Sequence, residues 1–290
     1  MKICIAGYGS IGRRHHRILS QDIFKDKQVE FALCDIGAEY LSVDEVCSES
    51  FDIVAICTPS ADHIKTAKKF VNAKSFFIEK PLDSDTDLIR SSLEFFKNKK
   101  TMVACNLFFS KHMEKIKKDL PRARLATIKY HSYLPMWRED NGYLNLYSRY
   151  KAQGGGILLD AIHELHYPIQ ILGYPEKVIM NQYRITDFTK DTDDVAKISL
   201  IYSDKIVDIE LSYLCKNKHR YCDMILQDGN RSFVDFTDGL DLEKMNTISD
   251  LDEMYTNQWR YFIKEDKPIN SYKENLKMLE FIEQNAIENF

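Results

Sequence analysis

Three short strings of residues carry the side chains and the spacing of a hydride-transfer site. Gly7-Tyr8-Gly9-Ser10-Ile11-Gly12 lies near the N-terminus, Glu79-Lys80-Pro81 follows further along, and Gly154-Gly155-Gly156 leads into Asp160 and His163. The first has the pattern of a dinucleotide-holding turn. Gly7 permits the tight turn, Gly9 lets a pyrophosphate approach the backbone, and Gly12 lets helix and strand pack closely. Ser10 and Ile11 open a helix whose free N–H groups would meet phosphates. Asp35, roughly twenty positions after Gly12, closes a second apolar run and suits the adenosine ribose hydroxyls. Ile36 and Gly37 follow it, with no Arg to meet a 2′-phosphate, so NAD is expected rather than NADP. Thr58 and Pro59, after a third run, either line the nicotinamide side or simply end a strand.

Lys80 follows a fourth apolar run and is expected in the same carboxyl-edge crevice, with Glu79 beside it. A Lys there can hydrogen-bond a reacting oxygen, or shift its pKa when desolvated. The plainer alternative is a solvated loop Lys. Asp160 and His163 are expected on one helix over Gly156–Leu172, on one face, after glycines that leave the backbone bare. An Asp beside a His can fix its tautomer and support a general base for an alcohol. Glu164 competes as a partner, His166 is a poorer one, and a helix-start Asp with a core His is the plain reading. His163, Glu164 and His166, and the His15-His16 pair, match no zinc spacing, so no metal is expected. Trp137, Arg138, Tyr143, Tyr147 and Arg149 could stack a sugar ring and clamp an anion, or pack as a connection between domains. Tyr213 and Arg220 are weaker pocket candidates.

Strands and helices that alternate over the first part imply βαβ units and a parallel sheet. The expected strands are 2–6, 28–34, 52–57, 75–78 and 101–105, with helices over 10–19, 61–72 and 82–98. After about Lys118 the pattern changes to longer strands over 124–133, 177–184, 194–203, 205–214, 220–227 and 231–236, with a hairpin turn at Asp228-Gly229. This predicts a Rossmann-type domain over 1–118 and an α+β domain with a large, mainly antiparallel open sheet over 119–290. A final amphipathic helix over 275–286 presents Leu276, Leu279, Ile282 and Ala286 on one face and could pack back on the first domain.

The 290 residues, 44% of them hydrophobic and with a formal net charge of −4, suit two soluble domains with no general attraction to nucleic acid or anionic membrane. No apolar run is long enough to span a membrane, and the N-terminal run is broken by glycines and Arg13-Arg14 before it could act as a signal segment. The seven cysteines are scattered without a Cys-x-x-Cys pair, which points to reduced thiols and a cytoplasmic address.

Taken together, these residues resemble the Gfo/Idh/MocA (glucose–fructose oxidoreductase / inositol dehydrogenase) family over nearly the whole chain. The resemblance implies an N-terminal Rossmann domain, a C-terminal domain with an open sheet, and Lys80, Asp160 and His163 acting on a hydroxyl of a sugar, cyclitol or sugar nucleotide. It also implies a homodimer or homotetramer. Tyr133–Arg138, Tyr143, Tyr147-Ser148, Gly154–Asp160 and His163-Glu164-Leu165 resemble a branch associated with bacterial surface-polysaccharide sugar pathways, whose Asp and His are likewise three apart. In that branch, residues around Asn106 contribute to the ligand site. Here Phe108-Phe109-Ser110-Lys111 stands where the branch commonly has Arg-Phe-His-Pro. Other readings on the same scaffold are tightly held NAD without net redox turnover, reduction of a non-sugar substrate, and an NAD sensor without catalysis.

Overall fold

The computed structural model describes residues 1–37, 39–237 and 249–290. The chain divides into two compact units, Met1–Phe109 with Leu251–Glu280, and Ser110–Asp250 with Phe281–Phe290.

The first unit is built on parallel strands β1 (Lys2–Ala6), β2 (Glu30–Cys34), β3 (Ile53–Ile56), β4 (Ser75–Ile78) and β5 (Lys100–Val103), in the order β2-β1-β3-β4-β5. Every residue of β3 and β4 is buried, as expected of strands covered on both faces. Helices α1 (Ser10–Ile18), α2 (Val43–Val46), α3 (His63–Lys69), α4 (Thr86–Ser91) and α5 (Leu93–Phe96) connect them. The single helix expected over 82–98 is instead α4 and α5, parted at Ser92, whose backbone (φ −98°, ψ 1°) leaves the helical region. The strand order reverses beside β1, between β2 and β3, which is where open α/β sheets bind ligands at their carboxyl ends. Ile3, Ile5, Ala55, Phe77 and Met102 form one core with Trp259 and Phe262 from the C-terminal part of the chain. Trp259 stacks on Phe77 with ring centroids 4.1 Å apart. Burial of each such side chain contributes on the order of 2 kcal/mol.

The second unit starts at α6 (Met113–Asp119) and carries a seven-stranded sheet. Its strands are β6 (Ala123–Tyr133), β7 (Lys177–Tyr183), β8 (Val195–Ile201), β9 (Ile206–Ser212), β10 (Leu214–Leu226), β11 (Arg231–Asp235) and β12 (Ala286–Asn289). Their order is β11-β10-β6-β9-β8-β7-β12. The β6–β9 and β7–β12 pairs are parallel and the others antiparallel, so the sheet is mixed and mostly antiparallel. The hairpin turn forms as expected: Gly229 has φ +81°, and Leu226 N donates to Asn230 O at 2.8 Å. Alternation along β6 buries Ala126, Ile128 and Tyr130 on one face, against which α8 (His163–Leu172) packs, while α6 packs on β10 and β11. Strand register places Leu125, Ile179, Ile206, Ile225, Phe233 and Ile287 on the opposite face, all of them exposed.

Helices α9 (Ser249–Lys264) and α10 (Tyr272–Asn285) follow. The last helix starts three residues before the expected amphipathic one and ends one residue sooner. Leu276, Leu279 and Ile282 are buried on α10, whereas Ala286 begins β12, which pairs parallel to β7. Short β-rich C-terminal runs resemble helix ends by periodicity alone.

Candidate active site

In the first unit the glycine turn joins β1 to α1 where the strand order reverses. Gly7 has φ +94°, and a Cβ there would lie 2.5 Å from the Cys57 carbonyl and 2.6 Å from Thr58 N. Only glycine allows the turn to pass this close to the end of β3. A Cβ on Gly12 would fall 2.0 Å from Gly7 O. On Gly9 it would meet nothing within 4 Å, so this glycine borders open space, as the approach of a pyrophosphate requires. Gly9 caps α1, whose first turn has no acidic residue to occupy its positive end. These features fit a dinucleotide, and they come from the backbone of Gly7, Gly9, Ser10, Ile11 and Gly12.

Asp35 ends β2 beside this turn. Tyr8 N donates to its Oδ2 and Ile36 N to its Oδ1, both at 2.7 Å. Its carboxylate is thereby fixed against the glycine turn. Arg13 lies over the rings of Tyr8 (4.9 Å) and Tyr40 (5.6 Å) and donates to Tyr40 Oη. The sequence shows no Arg directly after Asp35, but the fold brings this one from α1 to the neighbourhood of Tyr8.

The turns after β3 and β4 are tied together by His63 on α3. Its Nδ1 lies 2.8 Å from Pro81 O and its Nε2 2.8 Å from Thr58 O. Burial pulls its pKa down, against the pull of those carbonyls. Thr58 is half-buried and Pro59 exposed. The Lys80–Pro81 bond is cis.

Glu79 is held by a relay that sequence reading missed. Trp259 Nε1 donates to His15 Nδ1 at 2.8 Å, and His15 Nε2 lies 2.8 Å from Glu79 Oε1. Because Nδ1 accepts from the indole, the proton sits on Nε2 and is donated to the carboxylate. His15 is fully buried, with edge contacts to Phe77, Tyr255 and Trp259. Burial pushes Glu79 up, but the His15 hydrogen bond and the Lys80 charge outweigh it and leave the carboxyl below its usual range. Lys80 is half-buried directly after it. Asn106 begins a short turn of 3₁₀ helix after β5. The only signals for the relay were a His one turn into α1 and a Trp far along the chain.

In the second unit the three glycines are not bare. Gly154 has φ +77° and Gly156 φ +104°. A Cβ on Gly155 would lie 2.4 Å from Tyr147 O, and one on Gly156 2.1 Å from Asp193 Oδ1. Asp193, another residue missed, accepts from Leu158 N at 2.9 Å and so closes the start of α7 (Ile157–Asp160). Burial pushes its carboxyl up to about 7, against the pull of the Leu158 amide and the Thr192 hydroxyl.

The expected continuous helix over 156–172 is broken. Ala161 (φ −103°, ψ 30°) ends α7, and α8 starts at His163 after a tight turn in which Leu165 N bonds Ile162 O. Asp160 and His163 therefore lie on different helices, and the one-face argument for them does not hold. Both are buried. Asp160 is fixed by two phenols: Tyr147 Oη donates to Oδ1 and Tyr213 Oη to Oδ2, each at 2.5 Å. Burial, with Asp160 next, raises the Tyr213 pKa well above its usual value, keeping it a donor. Trp137 meets Tyr213 edge-on at 5.4 Å. Trp137 and Arg138 line an open hollow of about 610 Å³ with Glu139, Gly142, Asn145 and Leu146.

The cationic candidates separate. Arg138 is exposed, whereas Arg149 is buried and spends its guanidinium on the carbonyls of Phe188, Leu144 and Asp187. Arg149 thus holds a connection and is not available as an anion clamp. Arg220 pairs with the fully buried Glu164 (Nε–Oε1 2.5 Å) and lies over Tyr130. Burial pulls His166 down to about 4.

The comparisons agree with this architecture. Residues 1–107 match the Gfo/Idh/MocA model, described as an oxidoreductase family with an NAD-binding Rossmann fold. An inositol 2-dehydrogenase of Rhizobium meliloti (strain 1021) is 30% identical over 97 residues; the match covers 32% of this chain and only 29% of that enzyme. Among solved structures, a putative myo-inositol dehydrogenase from Sinorhizobium meliloti 1021 superposes with a TM-score of 0.73 at 21% identity, covering 98% of this chain and 95% of that one. A UDP-N-acetylglucosamine 3-dehydrogenase from Acidithiobacillus ferrooxidans gives 0.74 at 16%, covering 98% and 96%. At these identities the likeness shows the fold, over 98% of this chain. No described helix is long and apolar enough to cross a membrane. Residues 1–107 are thus similar to the NAD-binding Rossmann domain of the Gfo/Idh/MocA oxidoreductase family.

Proposed function

We propose that the whole chain is an NAD-dependent dehydrogenase of this family, moving a hydride between nicotinamide and a hydroxyl-bearing carbon of a sugar or sugar nucleotide. The observation that carries this reading is the glycine turn at the strand-order reversal. Gly9 borders open space, α1 has no acidic residue in its first turn, and the Asp35 carboxylate is fixed alongside. NAD rather than NADP follows from Asp35, whose negative charge would repel a 2′-phosphate. The sugar class rests on the branch resemblance, on the enzymes that share the fold, and on the hollow that Trp137 and Arg138 line.

When bound, NAD supplies the hydride acceptor. In the oxidative direction His163 takes the hydroxyl proton, and Asp160, immobilised by Tyr147 and Tyr213, stabilises the charge that results. Lys80 hydrogen-bonds the developing alkoxide. Glu79, held by His15, sets a fixed negative charge directly beside Lys80 in the chain. Thr58 and Pro59 line the nicotinamide side, while Asn106, Trp137, Arg138 and Tyr147 serve the substrate. Self-association of two copies through the exposed apolar face of the seven-stranded sheet completes the reading. Sedimentation of wild type against Leu125→Lys tests it: the variant stays monomeric where wild type does not.

The functional experiment is a thermal-shift comparison of NAD(H) with NADP(H), followed by nicotinamide turnover with nucleotide sugars, free sugars and cyclitols. Stabilisation by NAD with turnover on a nucleotide sugar supports the reading. Stabilisation without turnover favours a tightly held cofactor or a sensor.

A further inference from the structure

The mixed sheet carries a cluster that the dehydrogenase reading does not use. We propose that His131, Cys215 and His219 form a zinc site on its open face. One ligand atom from each residue lies within 4.8 Å of the other two. Tetrahedral zinc, with bonds of about 2.0–2.3 Å, sets its ligands roughly 3.3–3.8 Å apart, so modest side-chain rotation closes the set.

The strand pairing explains how residues distant in sequence meet. His219 of β10 is directly opposite His131 of β6, and the rings are 4.6 Å apart. The next pair in register is Leu214 with Tyr133, so β6 advances by two residues where β10 advances by five. The extra residues form a bulge that turns Cys215 back toward the two imidazoles. Bulges of this kind re-aim side chains. No zinc spacing is legible in the sequence because the bulge and the cross-strand pair, not a local motif, make the set.

The surroundings supply what metal-binding imidazoles need. Glu210 Oε1 lies 3.0 Å from His131 Nε2, the carboxylate–imidazole arrangement that orients a ligand ring. Lys129 and Lys197 lie 3.4 and 3.7 Å from the same carboxylate. His219 Nδ1 lies 3.0 Å from Asn217 O, which leaves Nε2 for a metal. The Cys215 thiol donates to the same carbonyl at 3.2 Å; on binding, its proton is released and the thiolate becomes the ligand. Two neutral imidazoles and one thiolate leave a fourth position for water. This set suits Zn²⁺ better than Mg²⁺ or Ca²⁺, which take oxygen ligands.

The test uses the full chain. Chelator-treated protein is titrated with Zn²⁺ against a chromophoric competitor, and with Co²⁺ as a spectroscopic probe. The expected results are one tight equivalent of Zn²⁺ and a Co²⁺ spectrum with a thiolate charge-transfer band and intense tetrahedral absorption. Cys215→Ser, which keeps size and fold, abolishes the band. Glu210→Gln weakens Zn²⁺ by about 10- to 100-fold and leaves the band in place. Absence of a tight equivalent in wild type, or a band and affinity unchanged in Cys215→Ser, overturns the proposal. Neither result depends on NAD or on turnover, so it stands or falls apart from the dehydrogenase reading.

Discussion

His15→Phe is the substitution with the most legible consequence. The phenyl ring keeps the edge contacts to Phe77, Tyr255 and Trp259, at 5.3 to 5.6 Å between centroids, so packing is largely preserved. Two hydrogen bonds are lost, the donation to Glu79 and the acceptance from Trp259. A charge-assisted bond is worth about 1.5–3 kcal/mol and a neutral one about 1, so the first unit should lose about 3 kcal/mol. With an m-value of about 2 kcal/mol/M, the urea midpoint falls by about 1.5 M. The chain has two tryptophans; in a Trp137→Phe background, Trp259 fluorescence reports this unit alone. A double-mutant cycle with Glu79→Gln should return a coupling of 1–2 kcal/mol, on the order expected for groups in contact. The pH arm has a defined sign. The Glu79 carboxyl lies below its unfolded value of 4.5, so its contribution is present above pH 4.5 and disappears as pH falls through the folded pKa. His15→Phe should shrink that acid slope. A midpoint within about 0.3 M of the parent, with no coupling to Glu79, would refute the relay.

Tyr213→Phe removes a donor to Asp160 and should lower kcat by roughly ten- to a hundredfold, with the Kd for NAD unchanged, as read by steady-state kinetics and cofactor titration. Gly12→Ala forces a Cβ to within 2.0 Å of Gly7 O, so NAD affinity measured by calorimetry should fall at least tenfold, by on the order of 1.4 kcal/mol. His166 has a folded pKa of about 4 against 6.5 unfolded. Its stabilising contribution is therefore complete above pH 6.5, and on the order of 3 kcal/mol is lost as pH drops from 6.5 to 4. His166→Phe should flatten that slope in urea melts taken across the range.

The first unit was the more legible. Its central strands β3 and β4 are buried on both faces and read as continuous apolar runs, and the glycine turn has a spacing that backbone geometry imposes. The second unit was legible in its strand alternation and hairpin turn but not in the local backbone of its candidate site. Nothing in the string from Ile157 to Leu165 marks the break at Ala161, because Ala and Ile are tolerated both inside and at the end of a helix. The contacts around it are tertiary: Asp193 caps the start of the first helix from the approach to β8, and two tyrosines fix Asp160 from outside it. Arg149 stood open between pocket and packing for a related reason. A cation among aromatics looks alike in sequence whether it meets ligand or backbone carbonyls. Residues held by long-range partners, such as His15, Asp193 and the His131–Cys215–His219 set, leave no local period or motif.

The central claim is hydride transfer to NAD, and it is tested most directly by single-turnover mixing. Cofactor-free protein with NAD is mixed with each nucleotide sugar in turn, and the absorbance of reduced nicotinamide is followed for wild type and Lys80→Met. The account predicts reduction by one substrate in wild type, and a rate lower by two or more powers of ten in Lys80→Met with NAD affinity intact. Equal rates in the two proteins, or no reduced nicotinamide from any substrate in protein that binds NAD, would contradict it.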